Sequence, residues 1–136
     1  MSIEIYGSKF WHGEIAGLGL GALSTAFAGL VVMVEQEEFV LDLGNAGGMT
    51  TSLCFKKSGE EATSFTVPRP VDDVRLYEAL LVLLQHEGVV VYAPGSPPVV
   101  GSAASAKHLP EGMSSSLGAA VVVETGTALR SALFGG

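Results

Sequence analysis

The sequence predicts an α+β fold in a single domain, residues 1–136. An antiparallel meander of about four strands comes first, followed by a buried helix and a β-α-β segment with a short C-terminal helix. Three observations predict this. Between residues 30 and 67, runs rich in β-branched and aromatic residues alternate with polar connections of hairpin length. From Asp72 to Glu87 the apolar spacing becomes that of a helix. Beyond Gly88, two valine-rich runs are separated by a stretch long enough to hold a crossover.

Composition narrows the class. Apolar residues make up 48% of the chain and charged residues 15%, with 18 glycines, which excludes a disordered acidic tail, a collagen and a coiled coil. At 136 residues a two-layer core forms without metal or disulfide staples. Seven Lys and Arg against fourteen Asp and Glu give a formal charge of −7, which repels nucleic-acid phosphates and anionic membrane surfaces. The lone Cys54 has no internal partner, so a reducing, cytoplasmic setting is expected.

Taken in order, Ile3 to Tyr6 forms a short N-terminal strand, followed by Phe10-Trp11-His12, which holds the only tryptophan. Such an aromatic knot is usually core; its functional alternative is Trp11 as the anchor for a partner. Ile15 to Val34 is twenty residues without a charge, long enough as a helix to span a bilayer. Its flanks, Glu14 before and Glu35, Glu37 and Glu38 after, lack the Lys/Arg bias of a span or signal peptide, and four glycines interrupt it. It is read as two elements: a short helical or coiled piece closed by Gly29, then a strand from Leu30 to Val34. Gly17, Gly19 and Ala22 also match the spacing of a dinucleotide fingerprint, with Glu35 eighteen residues after Gly17. No strand leads directly into Gly17, so close packing of small residues is the simpler account.

Leu30 to Val34 and Phe39 to Leu43 flank Glu35-Gln36-Glu37-Glu38 and form the clearest hairpin. After a turn at Asn45-Ala46-Gly47-Gly48, Thr50 to Phe55 and Thr63 to Val67 form the second hairpin, whose tip includes Glu60 and Glu61. Pro68-Arg69-Pro70 ends the meander, because proline lacks the ladder donor. A helix then runs from an Asp72 or Asp73 cap through Glu87, with His86 in its last turn and Gly88 as terminator. Its second half, Ala79 to Leu84, is apolar on every side and lies either between layers or in an interface. Val89 to Tyr92 and Ala120 to Val123 read as buried, parallel strands. Between them the sequence suggests a proline-rich loop (Gly95 to Gly101), a short helix (Ala103 to Leu109) and a turn from Pro110 to Gly118. Thr125 to Phe134 is an amphipathic helix with Leu129 and Leu133 on one side.

Catalytic constellations are missing from the pattern. There is no G-x-S-x-G, and Gly95-Ser96-Pro97 lacks the glycine that follows a nucleophile. Cys54 with His12, His86 or His108 would make a thiol-imidazole pair, but a cysteine within a strand is more simply a small core residue. The histidines occur singly, without metal-ligand spacing, and are expected at the surface; no metal and no cofactor are expected. The carboxylates Glu35/Glu37/Glu38, Glu60/Glu61 and Asp72/Asp73 fall at hairpin tips and a helix start, where solvation explains them.

Their functional alternative is electrostatic attraction to a basic partner. The expected function is therefore a non-catalytic acidic domain that docks on a basic or apolar surface of a protein partner through Glu35, Glu37, Glu38, Glu60, Glu61 and Trp11. Bacterial immunity proteins, which inhibit toxins, and secretion chaperones fill such roles; the likeness is one of size and charge alone. The alternatives are a nucleotide-cofactor-binding enzyme using residues 17–22, and a homo-oligomeric structural subunit burying Leu80 to Leu84 against its own copy.

Overall fold

The structure, a computed structural model, describes residues 4–42, 50–70 and 73–135. Ile3, Leu43, the turn expected at Asn45-Ala46-Gly47-Gly48 and the alternative cap Asp72 lie outside the described residues. In chain order come strands β1 (Ile5–Trp11), β2 (Glu14–Ala16) and β3 (Leu18–Gly19), then helix α1 (Leu20–Ala26). The meander follows as β4 (Val31–Glu35), β5 (Glu38–Asp42), β6 (Thr50–Ser58) and β7 (Glu61–Val67), leading to helix α2 (Val74–Leu84). The remainder is β8 (Val89–Tyr92), β9 (Val99–Val100), α3 (Ala103–Ala106), α4 (Glu111–Leu117), β10 (Val121–Val122) and α5 (Gly126–Phe134). The fold is α+β, with a single sheet ordered β10-β9-β8-β1-β7-β6-β5-β4; β2 pairs with β1, and β3 with β7.

The four meander strands form as expected, and in β5, β6 and β7 apolar residues at every second position commit the strand to one face. Phe39 and Leu41 of β5, Leu53 and Phe55 of β6, and Phe65 and Val67 of β7 all enter one core, with Phe55 directly opposite Phe65. Helices α1, α2 and α5 cover that face through Leu23, Phe27, Leu76, Leu80, Leu83, Leu129 and Leu133. The opposite face has a second, smaller core of Phe10, Val90 and Val100 under Leu109 and Met113, so α3 and α4 cover only the end formed by β1, β8 and β9. There the sheet is sandwiched, and its strands are apolar on both faces, as Val89-Val90-Val91 shows.

The N-terminal strand is longer than expected. It continues through the aromatic cluster to Trp11 because it lies inside the sheet: Ile5 pairs with Val67, Tyr6 with Tyr92, and Trp11 with Glu14. Gly7 sits opposite Phe65, whose ring occupies the space a side chain there would need.

The apolar run 15–34 resolves into β2, β3, α1 and β4, with the short helix and strand separated near Gly29. Among the described residues, no helix is long and apolar enough to cross a membrane.

Three expectations in the second half are corrected. β8 and β10 are not parallel neighbours: β9 lies between them, antiparallel to β8 and parallel to β10. The supposed proline-rich loop turns sharply, with Gly95 at φ +83 and the Ser96 N–H donating to the Ala93 carbonyl at 2.9 Å, so Val99-Val100 returns along β8. The β-α-β unit is therefore β9-α3-α4-β10, and the segment expected to turn between Pro110 and Gly118 forms α4. As the sheet edge, β10 leaves Val121 and Val122 exposed rather than buried.

Helix α2 stops at Leu84, not Glu87, and residues 85–88 turn into β8. Its apolar second half is buried inside the chain: Leu80 and Leu83 are 0% exposed and Leu84 1%, packed between the sheet, α1 and α5. The surface expected to hold a second copy through Leu80 to Leu84 is thus consumed by the fold, leaving Val82 outside.

Candidate functional site

Antiparallel pairing turns the anticipated docking residues towards one end of the sheet, because β1 and β4 run towards it, ending at Trp11 and Glu35, and β5 and β7 start from it at Glu38 and Glu61. They are staggered along it: Glu38, Cys54, Thr66 and Tyr6 lie in one row of pairs, so the Glu35–Glu38 tip stands level with the start of β1 and not with Trp11. Both acidic connections are tighter than expected. Glu35 and Glu38 are themselves paired, leaving Gln36-Glu37 as a two-residue turn, and Ser58 pairs with Glu61 around Gly59-Glu60.

The acids differ in how free they are. The Lys57 N–H donates to the Glu37 carboxylate at 2.9 Å, and the Ser52 hydroxyl donates to that of Glu38. The Glu61 side chain lies over Gly17. Glu35 and Glu60 are exposed, as are Lys56 and Lys57 between the two tips, so this end is acidic but interleaved with cations. Trp11 lies on the far side of β7, with β2 and β3 filling in at this end.

The sequence did not mark β4 as anything but a hairpin arm, yet it is the last strand of the sheet. Val32, Met33 and Val34 are 61%, 54% and 67% exposed. Successive strand residues point to opposite faces, so both faces of this edge are apolar. A register shift between Val31 and Met33 leaves an extra residue there; from Met33 to Glu35 the ladder is regular. The available signal was Val31-Val32-Met33-Val34 itself, a run with no polar residue on either face, unlike the alternation in β5.

A second feature joins the β1–β2 turn to the segment after α3. His12 (φ +51) and Gly13 (φ +83) are both left-handed, the combination that a type I′ hairpin turn requires. Glycine adopts this freely, whereas His12 pays a cost of about 1 kcal/mol or more. His108 holds the turn: its Nδ1 accepts the His12 N–H at 3.1 Å, and its carbonyl accepts the Gly13 N–H at 2.9 Å. Nε2 of His108 lies 2.6 Å from the Glu87 carboxylate, and the Trp11 ring stacks on the imidazole at 4.0 Å and 15°.

His108 is therefore a buried residue, 7% exposed, and not the surface histidine expected; the His12 ring meets it edge-on at 5.1 Å. Trp11 is 45% exposed on this fixed base, outside the core that takes Phe10. A contact spanning 96 positions has no local sequence signal.

The other candidates gain little from the geometry. Burial, and then the Glu38 carboxylate, push the Cys54 thiol up, away from the thiolate a nucleophile needs. Gly17 joins β2 to β3, and Gly19 precedes a helix of only seven residues. β3 pairs with β7 while β4 pairs with β5, so the fingerprint spacing is not set in a parallel β-α-β unit, and Glu35 stands on a hairpin tip. Among the described residues, no group of three His, Cys, Asp or Glu side chains is placed to hold a metal ion. Comparisons with protein-family models, curated proteins and solved structures give no match.

Proposed function

We propose that this chain is a non-catalytic protein-binding domain that docks on a basic or apolar surface of a partner protein, in the manner of a small toxin inhibitor or a secretion chaperone. β4 carries this proposal: an edge strand with three consecutive exposed apolar side chains, ending at the acidic tip of Glu35. Sheet edges are commonly guarded by charge, proline or coverage, because an open edge accepts another strand. Here Val32, Met33 and Val34 are left open, and strand addition supplies main-chain hydrogen bonds while alternate side chains select the partner. Glu35 and Glu60 add the charge that attracts a basic contact and raises its association rate. A reduced Cys54 suits a cytoplasmic setting.

The test uses the wild-type chain and Met33→Lys as parallel baits in extract of the native cell. The expected result is a protein retained by the wild type and lost with Met33→Lys, whose association slows and loses salt dependence when Glu35 is changed to Lys. Sedimentation of the bait alone separates a second copy from a foreign partner. Identical retention by both baits would refute docking at β4.

A further inference from the structure

We infer that His108 is a proton-sensitive latch on the β1–β2 turn, and that its protonation frees Trp11. The latch belongs to the free chain and does not depend on a partner at β4. Nδ1 of His108 accepts the His12 N–H, so that nitrogen carries no proton in the latched state; Nε2 is then the protonated nitrogen and donates to Glu87. A proton taken from water onto Nδ1 breaks the His12 N–H···Nδ1 bond and sets two donors against each other at 3.1 Å. Besides the β1–β2 ladder below it, closed by the Trp11–Glu14 pair, the turn keeps the Gly13 N–H bond to the His108 carbonyl, while His12 at its tip is exposed and left-handed. When the turn lifts, Trp11 at its root loses the imidazole beneath it.

The groups around His108 act in opposite directions. Glu87, in the turn after α2, faces Nε2 and favours the imidazolium in place. The His12 ring faces it from the turn, and when charged it repels the imidazolium and assists release. Lys107 precedes it in the chain, and Glu14 pairs with Trp11 across the hairpin. Histidine gains its charge between about pH 8 and pH 5, which sets the range to scan.

Trp11 is the only tryptophan, so its fluorescence reports this corner alone. Acidification of the full chain across that range is expected to shift Trp11 emission to the red. It should also raise the acrylamide quenching constant about twofold, as exposure rises from 45% towards full. His12→Asn keeps the transition, because the latch uses the backbone N–H and asparagine accepts the left-handed turn. His108→Asn, whose side-chain oxygen accepts that N–H and takes up no proton, abolishes it. Glu87→Gln keeps an acceptor for Nε2 but removes the counter-charge, and so moves the transition to lower pH; this gives a second readout if His108→Asn does not fold. Dimming without a change in acrylamide access, meaning a charged ring that quenches in place, would overturn the latch. So would the same transition in folded His108→Asn.

Discussion

Truncating Leu80 and Val82 separately tests whether the apolar half of α2 serves the interior or an interface. The two residues are two positions apart on the helix, yet Leu80 is 0% exposed and Val82 is 44% exposed. Leu80→Ala removes buried carbons from between the sheet and α5 and leaves a cavity, a loss of about 3–5 kcal/mol. Val82→Ala removes methyl groups already half in water and is expected to cost less than about 1 kcal/mol. With unfolding entropy of about 2.1 cal/mol/K per residue, 136 residues give about 0.29 kcal/mol/K. A 3 kcal/mol loss then lowers Tm by about 10 °C, against about 3 °C or less for Val82→Ala. The assay is thermal unfolding followed by circular dichroism at two well-separated protein concentrations. Because Leu80 touches only its own chain, the shifts should not depend on concentration. Equal shifts for the two variants, or a Leu80→Ala shift that shrinks at high concentration, would refute the placement of α2.

Two further outcomes follow from single side chains. Asp73 caps α2 by accepting the Arg75 N–H at 2.9 Å, so Asp73→Ala should cost about 1 kcal/mol in urea unfolding. The Arg75 side chain, and then its backbone N–H, hold the Asp73 carboxyl below its ordinary range. This stabilisation is complete above the unfolded carboxylate pKa and fades as pH falls through the lower folded value, so the gap between wild type and variant should close only in strong acid. Cys54, its thiol raised by burial and by Glu38, should react with iodoacetamide more slowly than a free thiol at neutral pH and speed up as pH rises. Glu38→Gln should accelerate the reaction in part, since burial remains; an unchanged rate would remove Glu38 as a cause.

The sequence reveals most where neighbours along the chain are also neighbours in space. Phe39 with Leu41, Leu53 with Phe55 and Phe65 with Val67 recur at every second position, and Phe39 pairs with Leu53 and Phe55 with Phe65 across the sheet, so the meander and its two acidic tips were visible as pattern. Val99-Val100 was not, because two apolar residues between a proline and a glycine are too few for any period. Its strand exists only because Gly95 turns the chain back onto β8. Likewise the two aromatic neighbours Phe10 and Trp11 look alike in sequence, and only the partners of β1 decide that Phe10 is buried and Trp11 is not. Of the anticipated docking residues, the sequence located the acidic tips and Trp11. It could not show that Glu37, Glu38 and Glu61 already have contacts within the chain, that β4 is an edge, or that His108 supports Trp11.

The central position of β1 also sets an order of assembly. β1 leaves the ribosome ahead of β7 and β8, between which it lies, and its pairs with Val67 and Tyr92 close long loops. The meander can fold on local contacts, but its β7 border stays open until the chain has been synthesised past residue 92, when β1 can enter with β8 on its other side. Such late, non-local closure is characteristic of folding over milliseconds to seconds rather than microseconds. During synthesis, therefore, the growing chain has a temporary second edge at β7, lined by Phe65 and Val67, that the finished protein never shows.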